Sequence, residues 1–205
     1  MPHLSSASHN KSLLRFHIRQ NRVRQHRLLQ GSQVAQGLLA SGVPLIEGLA
    51  PSSVLAAFLP LNTEPPIFPL LHTAYATGLQ VIVPVVKAQR QLAWVEWTPQ
   101  GTTSTNSLGI AEPTGKDLGA EAFLQADLRL IPALAVASDG ARLGQGGGFY
   151  DLLTQPLSAP ARARTYAVIF DHELLDALPA ESHDFRAQAV LTPSGVHKLT
   201  SSPLS

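Results

Sequence analysis

Between Ala141 and Asp151 the chain reads ARLGQGGGFYD, which packs a guanidinium, a carboxamide, four glycines, a phenol and a carboxylate into one short stretch. Glycine admits positive φ and lets a ligand approach the main chain closely. Successive bare amides can form a nest for an anion, and Arg142 can add a bidentate, charge-assisted contact to phosphate. A helix beginning at Phe149 or Tyr150 would aim its N-terminal dipole at the same place. Asp151 has the wrong sign to meet phosphate directly. It makes sense with magnesium between them, because that ion takes one or two carboxylates together with phosphate oxygens. The chemistry these residue types point to is Mg-nucleotide or Mg-phosphate binding; the alternative is a glycine-rich surface turn with no ligand.

Two familiar glycine signatures do not apply. Gly144 to Gly148 runs G-x-G-x-G, and Phe149 stands where a dinucleotide site would place its third glycine. Gly115-Lys116 is followed by Asp117, with no glycine at the upstream position a P-loop needs.

A second concentration of charge opens the chain. No acidic residue occurs from Met1 to Ile46, whereas Lys11, Arg15, Arg19, Arg22, Arg24 and Arg27 do. Lys11, Arg15, Arg19 and Arg22 recur at helical spacing and share one face. Three readings fit such a stretch: a transit peptide, a solvated helix face, or a nucleic-acid patch.

The elements that must position these groups follow from periodicity. Met1–Asn10 is expected to be loose and Lys11–Ala40 helical, ended by Gly42 and Pro44. Strands are expected at Val54–Leu59, Val81–Val86 with Pro84 marking an edge or bulge, Leu92–Trp97, within Asp127–Ala137, at Tyr166–Phe170 and at Ala187–Leu191. A helix is expected at Ile67–Ala76, a loop over Thr98–Ser107, a turn at Asp139-Gly140, and a turn-like tail from Thr192. At least one of Trp94 and Trp97 reads as core. Strands alternating with helices, and strands apolar on both faces, predict one three-layer α/β/α, Rossmann-like domain over residues 11–205 with a mainly parallel or mixed sheet. The glycine stretch follows a strand end, where such sheets bind ligands.

The bulk numbers bound the function. A chain of 205 residues that is 44% hydrophobic and 14% charged is globular and long enough for a core without disulfides. A net charge of +1 gives no global case for nucleic acid. The absence of cysteine excludes a disulfide framework and a thiolate zinc site and is compatible with a cytoplasmic location. Neither an apolar run of membrane-spanning length nor a basic-then-apolar signal peptide is present.

RLGQGGGFYD resembles the nucleotide loop of the 5-formyltetrahydrofolate cyclo-ligase family, whose pattern is R-L-G-x-G-x-G-[YF]-Y-D. KSLLR, FLPLNTEPP, GIAEP, LIPALAV and LPAESHD resemble further family segments in the same order. The resemblance implies ATP-dependent ring closure of 5-formyltetrahydrofolate to 5,10-methenyltetrahydrofolate, with ADP and phosphate released and Mg²⁺ as cofactor. It implies that Lys11, Arg15 and the run Arg142, Leu143, Gly144, Gln145, Gly146, Gly147, Gly148, Phe149 and Tyr150 bind ATP. Leu59, Glu64 and Gln145–Phe149 would face the folate, Arg142, Gln145 and Tyr150 would carry the catalysis, and Asp151 and Asp184 would hold the metal. A solvated face then suits Arg19, Arg22 and Arg24.

The expected partners are the folate and ATP alone, with no nucleic acid or membrane, and the expected form is a cytoplasmic monomer. Family members usually carry Phe-Asp where this chain has Val136 and Ala137, and many carry glutamine in place of Glu173. These departures keep a second reading open, a catalytically altered paralogue that binds nucleotide or folate. An RNA-binding reading of the basic helix is a third, and would show steep salt dependence.

Overall fold

The computed structural model describes residues 6–28, 31–87, 91–105, 111–181 and 184–199. In chain order the elements are α1 (Ser6–Leu28), α2 (Gly31–Glu47), β1 (Val54–Ala56), α3 (Phe68–Ala76), β2 (Gln80–Val86), β3 (Leu92–Glu96), β4 (Thr103–Thr105), β5 (Ala111–Pro113), α4 (Gly119–Gln125), β6 (Leu128–Pro132), β7 (Ala135–Ala137), β8 (Arg142–Leu143), α5 (Phe149–Thr154), α6 (Ala159–Ala163), β9 (Thr165–Val168), β10 (Leu174–Leu175), β11 (Ala189–Thr192) and β12 (Gly195–Lys198).

Seven strands form the main sheet in the order β12-β11-β9-β6-β1-β2-β3. The five inner strands are parallel, and β12 and β3 close the edges antiparallel. Side chains alternate across a strand, and here both sides are buried. Leu55, Val81, Val83, Leu130, Val168 and Leu191 pack with Leu38, Ile46, Leu70 and Leu71 of α2 and α3. Their neighbours Ala56, Ile82, Ile131, Ala167 and Val190 pack on the other side with Phe123 of α4, Leu157 and Phe185. This is the three-layer arrangement expected from strands without a polar face.

A smaller sheet, β10-β7-β8, lies outside the main one. Leu134, Ala135 and Leu143 there pack with Ile18 and Leu14 of α1. So α1 covers the small sheet, and its cationic face lies along the segment leading into the glycine loop.

Several boundaries differ from the sequence expectation. Residues 6–10 belong to α1 rather than to a loose segment. The expected single helix Lys11–Ala40 is two helices, and the second runs past Gly42 and Pro44 to Glu47. Gly42 serves packing instead of termination: a Cβ there would lie 2.4 Å from Leu70 Cδ2, so α3 seats directly on the bare backbone. The apolar run Asp127–Ala137 contains two strands in different sheets, β6 and β7. Periodicity could not show this, because no polar residue interrupts the run where the chain changes direction.

Pro84 lies in β2, second from the edge, and not on an edge strand. β1 pairs only Gln80–Ile82, so Pro84 has β3 as its sole paired neighbour. β1 is also shorter than the expected Val54–Leu59. Within the expected loop Thr98–Ser107, Thr103–Thr105 pairs with Ala111–Pro113. The expected turn-like tail forms β12. Trp94 and Trp97 are both core, one in each cluster. No described helix is long and apolar enough to cross a membrane.

Candidate active site

Strand order reverses direction next to β1. The chain first builds outward through β2 and β3, then returns to lay β6 on the other side of β1 and continues to β9 and β11. In open α/β sheets such a switch point leaves a crevice beyond the carboxyl ends of the strands. A cleft of about 210 Å³ lies there. It is lined by Phe58, Leu59 and Glu64 after β1, Pro84 and Val86 of β2, Pro132 ending β6, and Gln145, Phe149 and Tyr150 of the glycine loop. A second cavity of about 130 Å³ is formed by the loop itself, from Arg142 to Asp151, against Pro132. Phe149 and Tyr150 border both.

Left-handed backbone builds the loop. Gly146 has φ +102° and Gly148 has φ +73°, and Gly148 is the residue from which α5 starts. The helix start expected at Phe149 is therefore realised. Two arginines of α1 hold the loop from outside. Arg15 Nε donates to the Gly144 carbonyl at 3.0 Å, and Arg19 Nη2 donates to the Gln145 carbonyl at 2.6 Å. In a planar trans peptide the carbonyl and the next N–H point opposite ways. The grip thus turns the Gln145 and Gly146 amides away from α1, as an anion nest requires.

Arg142 lies inside the site rather than at its mouth. Only 6% of it is exposed. Its Nη1 donates to Asp151 Oδ1 at 3.0 Å, and Nε and Nη2 donate to the Pro132 carbonyl at 3.2 and 2.8 Å. Burial lowers the Arg142 pKa against the pull of Asp151, Tyr150 and Asp184. This side chain ties the loop to the end of β6 and orients Asp151. Burial also pushes the Tyr150 phenol well above its usual range, against the nearby Arg142 charge. The phenol is therefore protonated across the physiological range. Its hydroxyl is buried and has no hydrogen-bond partner. A buried orphan donor needs an explanation, and the Tyr150 side chain borders both cavities.

The other sequence-predicted residues gather around this loop. Lys11 Nζ donates to Asp184 Oδ2 at 2.6 Å and to Glu181 Oε2 at 2.8 Å. Burial opposes the Lys11 charge, but bonds and attraction from Asp184 and Glu181 outweigh it and raise the pKa. Glu64 accepts from the Leu61 amide and from Gln145 Nε2, each at 3.0 Å. Leu59 lines the cleft with Glu64. Leu143 is buried in β8 and serves packing.

Magnesium has a fitting donor set in Asp151 and Asp184. Both would offer carboxylate oxygens from separate segments, and both act on the buried Arg142 charge. No cluster of three or more His, Cys, Asp or Glu suited to a metal exists among the described residues.

Sequence reasoning missed four participants. Arg19 and Arg22 are not simply solvated. Arg19 grips Gln145, and Arg22, 2% exposed, forms a buried pair with Glu173. Glu181 and the Pro132 carbonyl were not singled out at all. The helical spacing of Lys11, Arg15, Arg19 and Arg22 was the available signal, since all four point to one side and all four find partners there. His183 and the Gly-Ile of GIAEP lie outside the described residues.

Comparison with known proteins places this arrangement. Residues 7–193 match the model of the 5-formyltetrahydrofolate cyclo-ligase family. The 5-formyltetrahydrofolate cyclo-ligase of Mycolicibacterium smegmatis is 41% identical over 144 residues, covering 68% of this chain and 73% of that protein. The Escherichia coli K12 protein of the same name is 32% identical over 146 residues, covering 69% and 79%. The NMR structure of Aquifex aeolicus 5,10-methenyltetrahydrofolate synthetase shares the fold, with a TM-score of 0.68, 21% identity and 95% coverage of each chain. The cleft at the switch point, the loop that closes it and these relatives agree: the chain belongs to the 5-formyltetrahydrofolate cyclo-ligase family.

Proposed function

We propose that this protein converts 5-formyltetrahydrofolate and ATP to 5,10-methenyltetrahydrofolate, ADP and phosphate. An amide oxygen is a poor leaving group until it is phosphorylated. In the proposed sequence the formyl oxygen takes the γ-phosphoryl group of ATP, N10 attacks the activated carbon, and phosphate departs. Phosphoryl transfer depends on positioning and charge more than on a protein nucleophile, which suits a chain without cysteine.

The observation that carries the reading is the shared wall. The glycine loop forms its own cavity and also borders the cleft that contains Glu64 and Leu59. The loop amides that Arg15 and Arg19 turn away from α1 would receive phosphate oxygens. Glu64 would accept from the pterin, and Leu59 and Phe58 would keep water from its ring. Tyr150, protonated and unpartnered, would donate to the formyl or transferring oxygen. Arg142 keeps Asp151 oriented, and Lys11 does the same for Asp184. Magnesium, held by those two carboxylates, would supply charge neutralisation for the phosphates.

The test is a spectrophotometric turnover assay with purified protein, 5-formyltetrahydrofolate and ATP, with and without magnesium. The methenyl band should appear only with ATP and magnesium, and Asp151→Ala should lose turnover by orders of magnitude. Folded protein that binds ATP yet forms no product under any metal condition sinks the reading.

Val136 and Ala137 favour a second reading, a relative that binds without turnover. Both are fully buried in β7, so no carboxylate stands there. Asp139 does not replace one: it accepts from the Ala141 amide at 2.9 Å and pairs with Arg186 at 2.7 Å. Tight folate binding by calorimetry without ATP consumption would decide for this second reading.

A further inference from the structure

Gln145 stands at the first position that the glycine pattern leaves open, and its carboxamide is held from two sides. Arg19 Nε and Nη2 donate to its Oε1 at 3.1 and 3.0 Å. On the other side Gln145 Nε2 donates to Glu64 Oε1 at 3.0 Å. These partners fix the polarity of the amide. A guanidinium only donates and an ionised carboxylate only accepts, so a flipped amide would face two donors together at one end and two acceptors at the other. Arg19 therefore determines that Gln145 presents its NH₂ group to Glu64. It also grips the Gln145 carbonyl, so the backbone beneath the amide cannot drift.

Both oxygens of Glu64 already accept a protein donor. Its Oε2 accepts the Leu61 amide of its own turn. Its Oε1 accepts an amide N–H from Gln145, and an amide N–H is also what a pterin offers through N3–H and the 2-amino group. Side chain and substrate offer the same carboxylate the same kind of bond.

We propose that Gln145, polarised by Arg19, competes internally with the pterin for Glu64, and that Arg19 is the positioning residue that sets the strength of the competition. Folate entry then exchanges one donor for another at Glu64 and releases the glycine loop from the cleft wall. A ring without an amino-pyrimidinone edge makes no such exchange, so the contact also selects for pterins. This inference rests on Glu64 being the folate carboxylate.

The test is calorimetric titration of 5-formyltetrahydrofolate, without nucleotide, into the full-length wild type, Gln145→Met, Arg19→Met and the double variant. Methionine keeps the length of each side chain's stem and removes the donors. Loss of the competing bond should tighten folate binding about fivefold in Gln145→Met, the weight of one ordinary hydrogen bond. Arg19→Met should tighten it less, and its effect should shrink in the Gln145→Met background, where only the Arg19 bond to the main-chain carbonyl is left to lose. General loosening of the site would weaken binding, so the direction separates positioning from damage. Weaker or unchanged binding in Gln145→Met overturns the proposal while leaving the folate reading intact. An Arg19→Met effect that persists in full without Gln145 also overturns it. Wild-type protein that binds no reduced folate overturns both.

Discussion

Arg22 and Glu173 meet in a buried two-pronged ion pair. Nε to Oε1 is 2.7 Å and Nη2 to Oε2 is 2.8 Å, and Nη2 also donates to the Ala133 carbonyl. The pair fastens the middle of α1 to the turn after β9 and to the link between β6 and β7. It thereby holds the helix that carries Arg15 and Arg19 against the glycine loop. Breaking one side of a buried pair strands the other charge and costs about 3–5 kcal/mol. Glu173→Ala should lose about that much in urea unfolding, and Glu173→Gln, which keeps the shape and one acceptor, should lose less. Turnover in Glu173→Ala should fall even where the protein remains folded, because the grip on the loop loosens.

Tyr150→Phe separates stability from activity. The hydroxyl is buried without a partner, so its removal relieves a desolvated donor and leaves the ring in place over Arg142. The melting temperature should stay level or rise slightly, and kcat should fall about 100- to 1,000-fold, the range for losing one transition-state donor. A variant with unchanged kcat would remove Tyr150 from the chemistry.

Gly42→Ala tests the seat of α3. The added methyl would meet Leu70 Cδ2 at 2.4 Å inside a core where Leu70 is 1% exposed. Overpacking of this kind costs about 1–3 kcal/mol, against the small gain that alanine normally brings to a helix. Thermal unfolding should show a net loss, with turnover at low temperature preserved.

The pH dependence of stability follows from Lys11. Its folded pKa lies above the unfolded value, through Asp184 and Glu181 acting against burial. Its contribution is therefore complete below the unfolded lysine pKa, roughly 10.4, and disappears as pH rises through the folded value. Wild-type protein should lose stability on the alkaline side of that point, and Lys11→Met should show a shallower alkaline decline in melting temperature measured across pH.

The main sheet was readable because its signal is local. Runs such as VLAAF and QVIVPVV are apolar on both faces, which predicts strands covered on both sides. The split of Asp127–Ala137 was hidden, because β6 and β7 differ in the neighbours they find and not in composition. For the site, the glycine loop and Asp151 announced themselves through residue type and closeness in sequence. Arg22 and Glu173 did not, since 151 positions separate them. A buried arginine and a solvated one on the same basic helix look alike until the distant partner is known. The inward turn of Arg142 toward the Pro132 carbonyl has the same origin: it depends on where β6 ends in space.

The reach of α1 has a consequence for biosynthesis. Helix α1 is made before its partners, and Lys11 bonds to residues 170 and 173 positions later. Synthesis proceeds from the N-terminus onward, so this basic rod must wait, without its acidic counterparts, until Glu173, Glu181 and Asp184 have been made. Catalytic competence should then arrive abruptly once Asp184 has left the ribosome, and nascent chains stalled before Glu173 should bind neither nucleotide nor folate.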